Sequence, residues 1–208
     1  MGGQRYDYSK GEIIRPSVEQ HNLSLVQSGY VKRYLILNDG RLGVQSIYGS
    51  GDIYPLTPVF KILFDQDIYQ GPEIYHYEAM AATKLYMLSL SALAQAIEQD
   101  PLLYRDLLEV AGQRLQSNIQ LLENLSLRSS YKRVAHQLVF YARRFGEIKP
   151  TGFKICLQIT HQDLADVLGI TRETVSTCIA QLRHERLIRT GKHIIIPNIK
   201  QLEAAAYG

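Results

Sequence analysis

Long hydrophobic runs are missing from this 208-residue chain. No segment approaches the roughly 18 unbroken apolar residues that a membrane-crossing helix needs, so a helical membrane protein is excluded. The first residues, Met1-Gly2-Gly3-Gln4-Arg5-Tyr6, carry no apolar core of the kind a secretory signal requires. Position 6 also lacks the serine or threonine that N-myristoylation prefers. Cysteine is scarce, with only Cys156 and Cys178, each inside an apolar run. This points to buried free thiols rather than a disulfide or a metal pair. Closely spaced histidines with a glutamate on strands are lacking too, which removes the chemistry of a cupin-type metalloenzyme. Proline is sparse, while 46% of residues are hydrophobic and 21% charged, an ordinary globular balance. The expectation is a soluble cytoplasmic protein with no membrane partner, not an enzyme, of one large domain or two small ones.

The charge is unevenly placed. Residues 1–127 hold 10 Lys and Arg against 14 Asp and Glu, a net of −4. Residues 128–208 hold 13 against 6, a net of +7. A basic C-terminal module preceded by a mildly acidic one suits a polyanionic partner.

From Tyr8 to about Leu90 short apolar segments alternate with turn signals. Strands are expected at 12–14, 23–26, 30–37 and 74–80, broken at Ser28-Gly29, Asn38-Asp39-Gly40 and Gly49-Ser50-Gly51-Asp52. About seven such strands make a β-barrel or roll. The period then becomes helical. Asp100-Pro101 is a helix-start signal, and Tyr104, Leu108, Ala111, Leu115, Asn118, Leu122 and Leu125 follow at steps of four and three. That is a heptad seam, read as a dimer interface through Leu108, Ala111, Leu115, Asn118, Leu122 and Leu125. Leu107, Val110 and Ile119 are left for packing on the helix's own domain. A further amphipathic helix is expected at 129–145, buried through Val134, Leu138 and Tyr141 and stopped by Gly146, with a strand at 153–159.

Residues 160–197 carry the functional signal. Thr160 and Asp163 form a capping-box pair opening a helix whose buried side is Leu164, Ala165, Val167 and Leu168. Gly169 ends it, and Thr171 caps a second helix over 172–184. The second helix is expected to bury Val175, Ile179, Ala180 and Leu182, with Arg172, Glu173, Ser176 and Thr177 outward at its start. Two short helices around a glycine turn, the second polar at its start, make a helix-turn-helix. The segments 187–189 and 193–196 flank Thr190-Gly191-Lys192 as a hairpin wing, where Lys192 reaches a phosphate. A short helix through 201–204 closes the chain.

The run ITHQDLADVLGITRETVS at 159–176 resembles the signature of the cyclic-AMP receptor protein / fumarate-nitrate regulator (Crp/Fnr) family of bacterial transcription regulators. KGEII at 10–14, SGYVK at 28–32, the Gly51-Asp52 turn and the long pre-DNA helix stand in that family's order. The resemblance implies an α+β chain. Its parts would be a cupin-like β-roll sensor over 1–98, a dimerisation helix over 99–127 and a winged helix-turn-helix over 128–208. Arg172 and Glu173 are implied as base readers, matching guanine O6/N7 and cytosine N4 respectively, with Ser176 and Thr177 beside them. Where relatives often carry arginine, this chain has Thr177, left to touch a thymine methyl. Thr160, Gln162, Thr171 and Thr174 are implied as phosphate contacts.

The effector cassette departs from the family's pattern. The relatives' Gly-Glu-Leu turn is replaced here by Gly51-Asp52-Ile53-Tyr54-Pro55-Leu56-Thr57. No Arg-Ser or Arg-Thr follows before the long helix, and Lys61 is the only nearby basic residue before Lys84. Cyclic AMP is therefore disfavoured. No cysteine precedes Cys156, which removes the iron–sulfur branch. His21 and His76 read as surface histidines rather than haem ligands. The expected function is a homodimeric regulator reading an inverted repeat in double-stranded DNA, with RNA polymerase as a further partner. It has no assigned cofactor, and either an unidentified small effector or none with control by abundance. A protein-interaction module using the winged helix is the alternative.

Overall fold

The computed structural model describes residues 3–15, 22–64 and 75–208. The chain divides into two compact units, Met1–Gln116 and Ser117–Gly208, and the division falls inside one unbroken helix.

In the first unit the alternating segments form two four-stranded antiparallel sheets. The strands are β1 (Gly3–Tyr8), β2 (Ile13–Ile14), β3 (Asn22–Ser28), β4 (Val31–Ile36), β5 (Leu42–Tyr48), β6 (Ile53–Tyr54), β7 (His76–Ala79) and β8 (Thr83–Ser89). One sheet runs β1-β8-β3-β6 and the other β2-β7-β4-β5. The period of two is clear in β8, where Thr83, Leu85 and Met87 are buried while Lys84 is exposed. Both sheets feed one core. Val26, Tyr54, Leu85 and Met87 come from the first, Ile14, Val31, Tyr48, Tyr77 and Ala79 from the second. Burying each large side chain contributes about 1.5–3 kcal/mol. Gly29, at φ +86°, makes the turn into β4 where a side chain would strike the Ala82 carbonyl, so the Ser28-Gly29 break is a steric requirement.

Tyr54 and Tyr77 stack with ring centroids 4.9 Å apart, and Tyr48 lies 4.5 Å from Tyr54. Burial pushes the Tyr77 hydroxyl up to about 12. Two helices follow: α1 (Thr57–Phe64) and α2 (Leu90–Gln99), the latter capped by Ser89, whose hydroxyl accepts from the Ala92 N–H at 3.2 Å. They share a second apolar cluster of Leu23, Val59, Leu93, Ile97 and Leu107. Strand β1, which the sequence reading did not include, pairs with β8 from Gly3 to Tyr8. Helix α1 was likewise unforeseen.

The long helix α3 (Leu103–Ser126) starts two residues later than Pro101 because Asp100 first closes a turn, its carboxylate accepting from the Leu102 N–H at 3.0 Å. Leu107 is buried, as expected of the face toward its own domain. Ile119 is not on that face; it is exposed, one step from Leu115 and Leu122 on the helix surface.

The second unit is built on α4 (Ser130–Phe145), which follows Ser129, a cap position whose side chain makes no capping bond, and is stopped at Gly146. Val134, Leu138 and Tyr141 are buried as their spacing predicts. A small sheet, β11-β10-β9, combines β9 (Gly146–Lys149), β10 (Gly152–Ile155) and β11 (Ile195–Ile196). The strand expected over 153–159 thus ends at Ile155. Two helices, α5 (His161–Leu168) and α6 (Arg172–His184), precede β11, and α7 (Ile199–Tyr207) closes the fold. The last helix is longer than the 201–204 expected, because Asn198 accepts from the Lys200 and Gln201 N–H groups and starts it earlier.

Candidate nucleic-acid interface

Helix α5 is opened by a complete capping box. The Thr160 hydroxyl accepts from the Asp163 N–H at 3.0 Å, and the Asp163 carboxylate accepts from the Thr160 N–H at 3.0 Å. It ends at Gly169, whose φ of 62° is left-handed and open to glycine without strain. Two residues later Thr171 caps α6, its hydroxyl accepting from the Thr174 N–H at 3.2 Å and lying 3.0 Å from the Thr174 hydroxyl. Both helices therefore present fixed, positive N-terminal ends.

The buried side of α6 is Val175, Cys178, Ile179 and Leu182. Ala180, expected among them, is exposed; Cys178 takes its place because i, i+3, i+4 and i+7 share one face and position 180 lies off it. Burial pushes the Cys178 thiol up, and Cys178 and Cys156 are both free. Val167 is half-buried rather than buried.

Arg172, Glu173 and Thr177 are exposed on the first turns of α6. The Thr177 hydroxyl donates to the Glu173 carbonyl at 3.0 Å, which leaves its methyl group available. Ser176 differs: its hydroxyl donates to the Arg172 carbonyl at 2.9 Å and lies 2.8 Å from His161 Nδ1. The sequence reading passed over His161, since a histidine beside a capping residue carries no local signal of its own. On α5, Gln162 is exposed and its amide donates to Asp166 at 2.7 Å.

The wing closes on a single antiparallel bridge, Arg189 to Ile195, with hydrogen bonds of 2.8 and 2.9 Å. The segment 187–189 is therefore not a full strand. Lys192 is exposed at the tip. Beside it a recess of about 250 Å³ is lined by Lys154, Arg189, Lys192 and His193 with Thr190, Gly191 and Ile195. Three positive side chains line it, Lys154, Arg189 and Lys192, of which the sequence assigns only Lys192 to a phosphate.

Helix α4 braces this motif. Arg133 donates to the Leu168 carbonyl at the end of α5, and Tyr131 donates to Glu185 just beyond α6. That second bond holds the Glu185 carboxyl below its ordinary value. Near the start of the unit Asn124 is fully buried; its amide nitrogen lies 2.9 Å from the Arg133 carbonyl, 3.2 Å from His136 Nδ1 and 3.3 Å from Gln137 Oε1. Burial holds the His136 imidazole below its ordinary value; Glu123 opposes that shift and Arg143 adds to it. Hydrophobic periodicity had no means of finding this polar cluster.

Along α3, Leu108, Leu115 and Leu122 are 72%, 61% and 66% exposed, with Tyr104, Asn118, Ile119 and Leu125 also exposed and Ala111 half-buried. In the first unit, the Gly51-Asp52 segment forms a turn in which the Asp52 carboxylate accepts from the Gly49 N–H at 2.7 Å. The Arg114 guanidinium lies 4.1 Å from the Tyr48 ring centroid, and Arg33 lies 4.5 Å from that of Tyr75. His76 stacks on Tyr34, while His21 lies outside the described residues. Among the described residues no group of histidine, cysteine and acidic side chains is arranged to hold a metal ion, and no helix is long and apolar enough to cross a membrane.

Residues 132–205 match the Crp-like helix-turn-helix domain. Over 205 residues the chain is 26% identical to the CRP-like cAMP-activated global transcriptional regulator of Mycobacterium tuberculosis, covering 98% of this chain and 88% of that protein. It is 27% identical over 209 residues to the nitrogen fixation regulation protein FixK of Bradyrhizobium diazoefficiens, covering 98% and 83%. Among solved structures, FixK2 from Bradyrhizobium japonicum aligns with a TM-score of 0.78 at 24% identity, covering 100% of this chain and 99% of that one. A CooA mutant from Carboxydothermus hydrogenoformans aligns with a TM-score of 0.76 at 22% identity, covering 98% and 88%. These structural likenesses establish the shared fold.

Proposed function

We propose that this chain, which belongs to the Crp/Fnr family of transcription regulators, works in the cytoplasm as a homodimer that reads an inverted-repeat DNA site. The observation that carries the reading is the start of α6. Arg172 and Glu173 stand exposed on a capped helix end that the Gly169 turn and α4 hold in place. Arg172 suits guanine O6/N7 and Glu173 suits cytosine N4, with the Thr177 methyl against a thymine and Ser176 beside them. Thr160, Gln162, Thr171, Thr174 and Lys192 take phosphates, drawn by two helix N-termini and the basic wing.

In functional terms the chain divides into a sensor-like roll over 1–98, a dimerisation helix over 99–127 and a DNA-reading module over 128–208. The exposed leucines of α3 support pairing of two copies across a two-fold axis. Two recognition helices would then enter successive major grooves about 34 Å apart. An effector, where one acts, is a small molecule other than cyclic AMP: Asp52 is occupied in its own turn, and Tyr48, Tyr54 and Tyr77 make the roll interior aromatic. The second reading is a regulator controlled by its abundance alone. RNA polymerase is the expected partner at the promoter.

Selection of bound sequences from a random DNA pool by the purified protein tests this directly. An inverted repeat with half-sites one helical turn apart is expected. Enrichment of single half-sites would remove the dimer, and no enrichment with or without cell extract would remove sequence-specific reading.

A further inference from the structure

We propose that His161 is a positioning residue for base reading, acting on Arg172 through Ser176. The inference rests on the DNA-reading function above and adds to it a determinant of specificity that lies on the other helix of the motif.

Proton count sets the direction of the contact. The Ser176 hydroxyl has one proton, and it is donated to the Arg172 carbonyl, 2.9 Å away and one turn back along α6. The Ser176 oxygen has lone pairs left, and His161 Nδ1 stands 2.8 Å from it. With that proton on the carbonyl, the contact is a hydrogen bond when Nδ1 carries the proton, the Nδ1–H tautomer that the proposal assigns to the ring. The result is a relay, from His161 Nδ1–H to Ser176 Oγ and from Ser176 O–H to the Arg172 carbonyl.

Its consequence lies in the backbone. A serine that bonds back to the carbonyl four residues earlier bends the helix slightly at that turn. Here that turn is the one that carries Arg172, whose side chain is exposed. Thr171 and Thr174 hold the front of this turn from within α6 itself. His161 holds its flank from the first residue of α5, so the two helices fix the direction of the Arg172 Cα–Cβ bond together. A bidentate contact to guanine tolerates little misdirection, so its discrimination depends on that restraint.

Two measurements on the full chain test the proposal. The first is the ¹⁵N spectrum of the His161 ring in the free protein. Nδ1 protonation is expected, and Ser176→Ala should release it. A neutral ring protonated at Nε2 in the unsubstituted protein would overturn the relay. The second is the ratio of affinities for the selected site and for the same site with the guanine pair opposite Arg172 exchanged.

His161→Ala and Ser176→Ala are each expected to lower that ratio about three- to tenfold, the range for one hydrogen bond. The double variant should lose no more than the larger single loss. His161→Asn, whose amide N–H stands in for Nδ1–H, should restore most of the ratio. Equal weakening on both sequences, additive losses, or no rescue by asparagine would each overturn the positioning role. A protein that discriminates no sequence removes the DNA reading itself, whatever the tautomer; a discriminating protein with an Nε2-protonated ring removes the relay alone.

Discussion

Leu115→Glu is the sharpest test of pairing through α3. Leu115 is 61% exposed in the single chain, so the substitution disturbs little within one protomer. Full burial of a leucine contributes about 1.5–3 kcal/mol, and the exposed share of Leu115 leaves roughly 1–2 kcal/mol to be gained on pairing. A two-fold axis brings two copies of the residue to the seam, so the apolar loss is about 2–4 kcal/mol per dimer. The dissociation constant should therefore rise about 30- to 1,000-fold. Seating two carboxylates in an apolar seam adds to that cost. Sedimentation velocity across nanomolar to micromolar protein reads the change, with circular dichroism checking that the helix content is retained. A well-folded variant whose dimer dissociates at the original concentration would refute pairing through this face.

Arg172→Ala should cost about 1–3 kcal/mol on the selected site and relax base choice at one position per half-site, measured by titration against single-pair variants; unaltered specificity would remove its assigned role. Lys192→Ala should weaken all sequences alike and lower the slope of log K against log salt by about 0.9 for each phosphate the side chain no longer neutralises. A weakening confined to some sequences would contradict a phosphate-binding role. His136 supplies a pH dependence: its folded pKa is depressed by burial, so the unfolded chain takes up a proton that the folded unit refuses. Stability is then steady above neutrality, falls as pH drops through about 6.5 and levels off below the folded value. The urea midpoint should follow that course and flatten in His136→Gln, and parallel profiles in the two proteins would refute it.

The helix-turn-helix was legible because its signals are local. Thr160, Asp163, Gly169 and Thr171 each act within four residues of chain, and each performs its expected bond or turn. The interior was harder where a position sits at the margin of a face. Ala180 and Ile119 are apolar and helical, yet each lies well around the helix from the residues it was grouped with, Ile119 on the side opposite Val110, and both are exposed. Strand β9 went unread because its one large apolar residue, Ile148, is 80% exposed, so no alternation marks it. Helix α1 went unread for a different reason. Thr57-Pro58 is a helix-start signal, but the eight residues that follow from it span little more than two turns, too few for a helical period to stand out. The Asn124 cluster and the contact between His161 and Ser176 join residues 9 to 15 apart through polar atoms, and no periodicity of hydrophobic residues encodes that.

Those polar contacts bear on where regulation can act. Helix α4 is bonded to α5 through Arg133, to the residue after α6 through Tyr131, and to α7 through Arg143 and Glu203. It is bonded to α3 through Asn124 and through Arg144, whose guanidinium lies 2.9 Å from the Ser117 hydroxyl. The recognition helix is thus fixed at its far end by α4 and at its reading end by α5. These bonds tie α4 to four other helices of the unit, so an effector has more ways to act on the pairing of two copies than on Arg172 alone. In the proposed two-fold reader, what would remain adjustable is the arrangement of one recognition helix against its partner's, which pairing through α3 would set. A ligand changes DNA affinity only through unequal affinity for the competent and incompetent arrangements of that dimer. On that reading, substitutions along Leu108, Leu115 and Leu122 should shift affinity for the whole inverted repeat while leaving the base preference at each half-site unchanged.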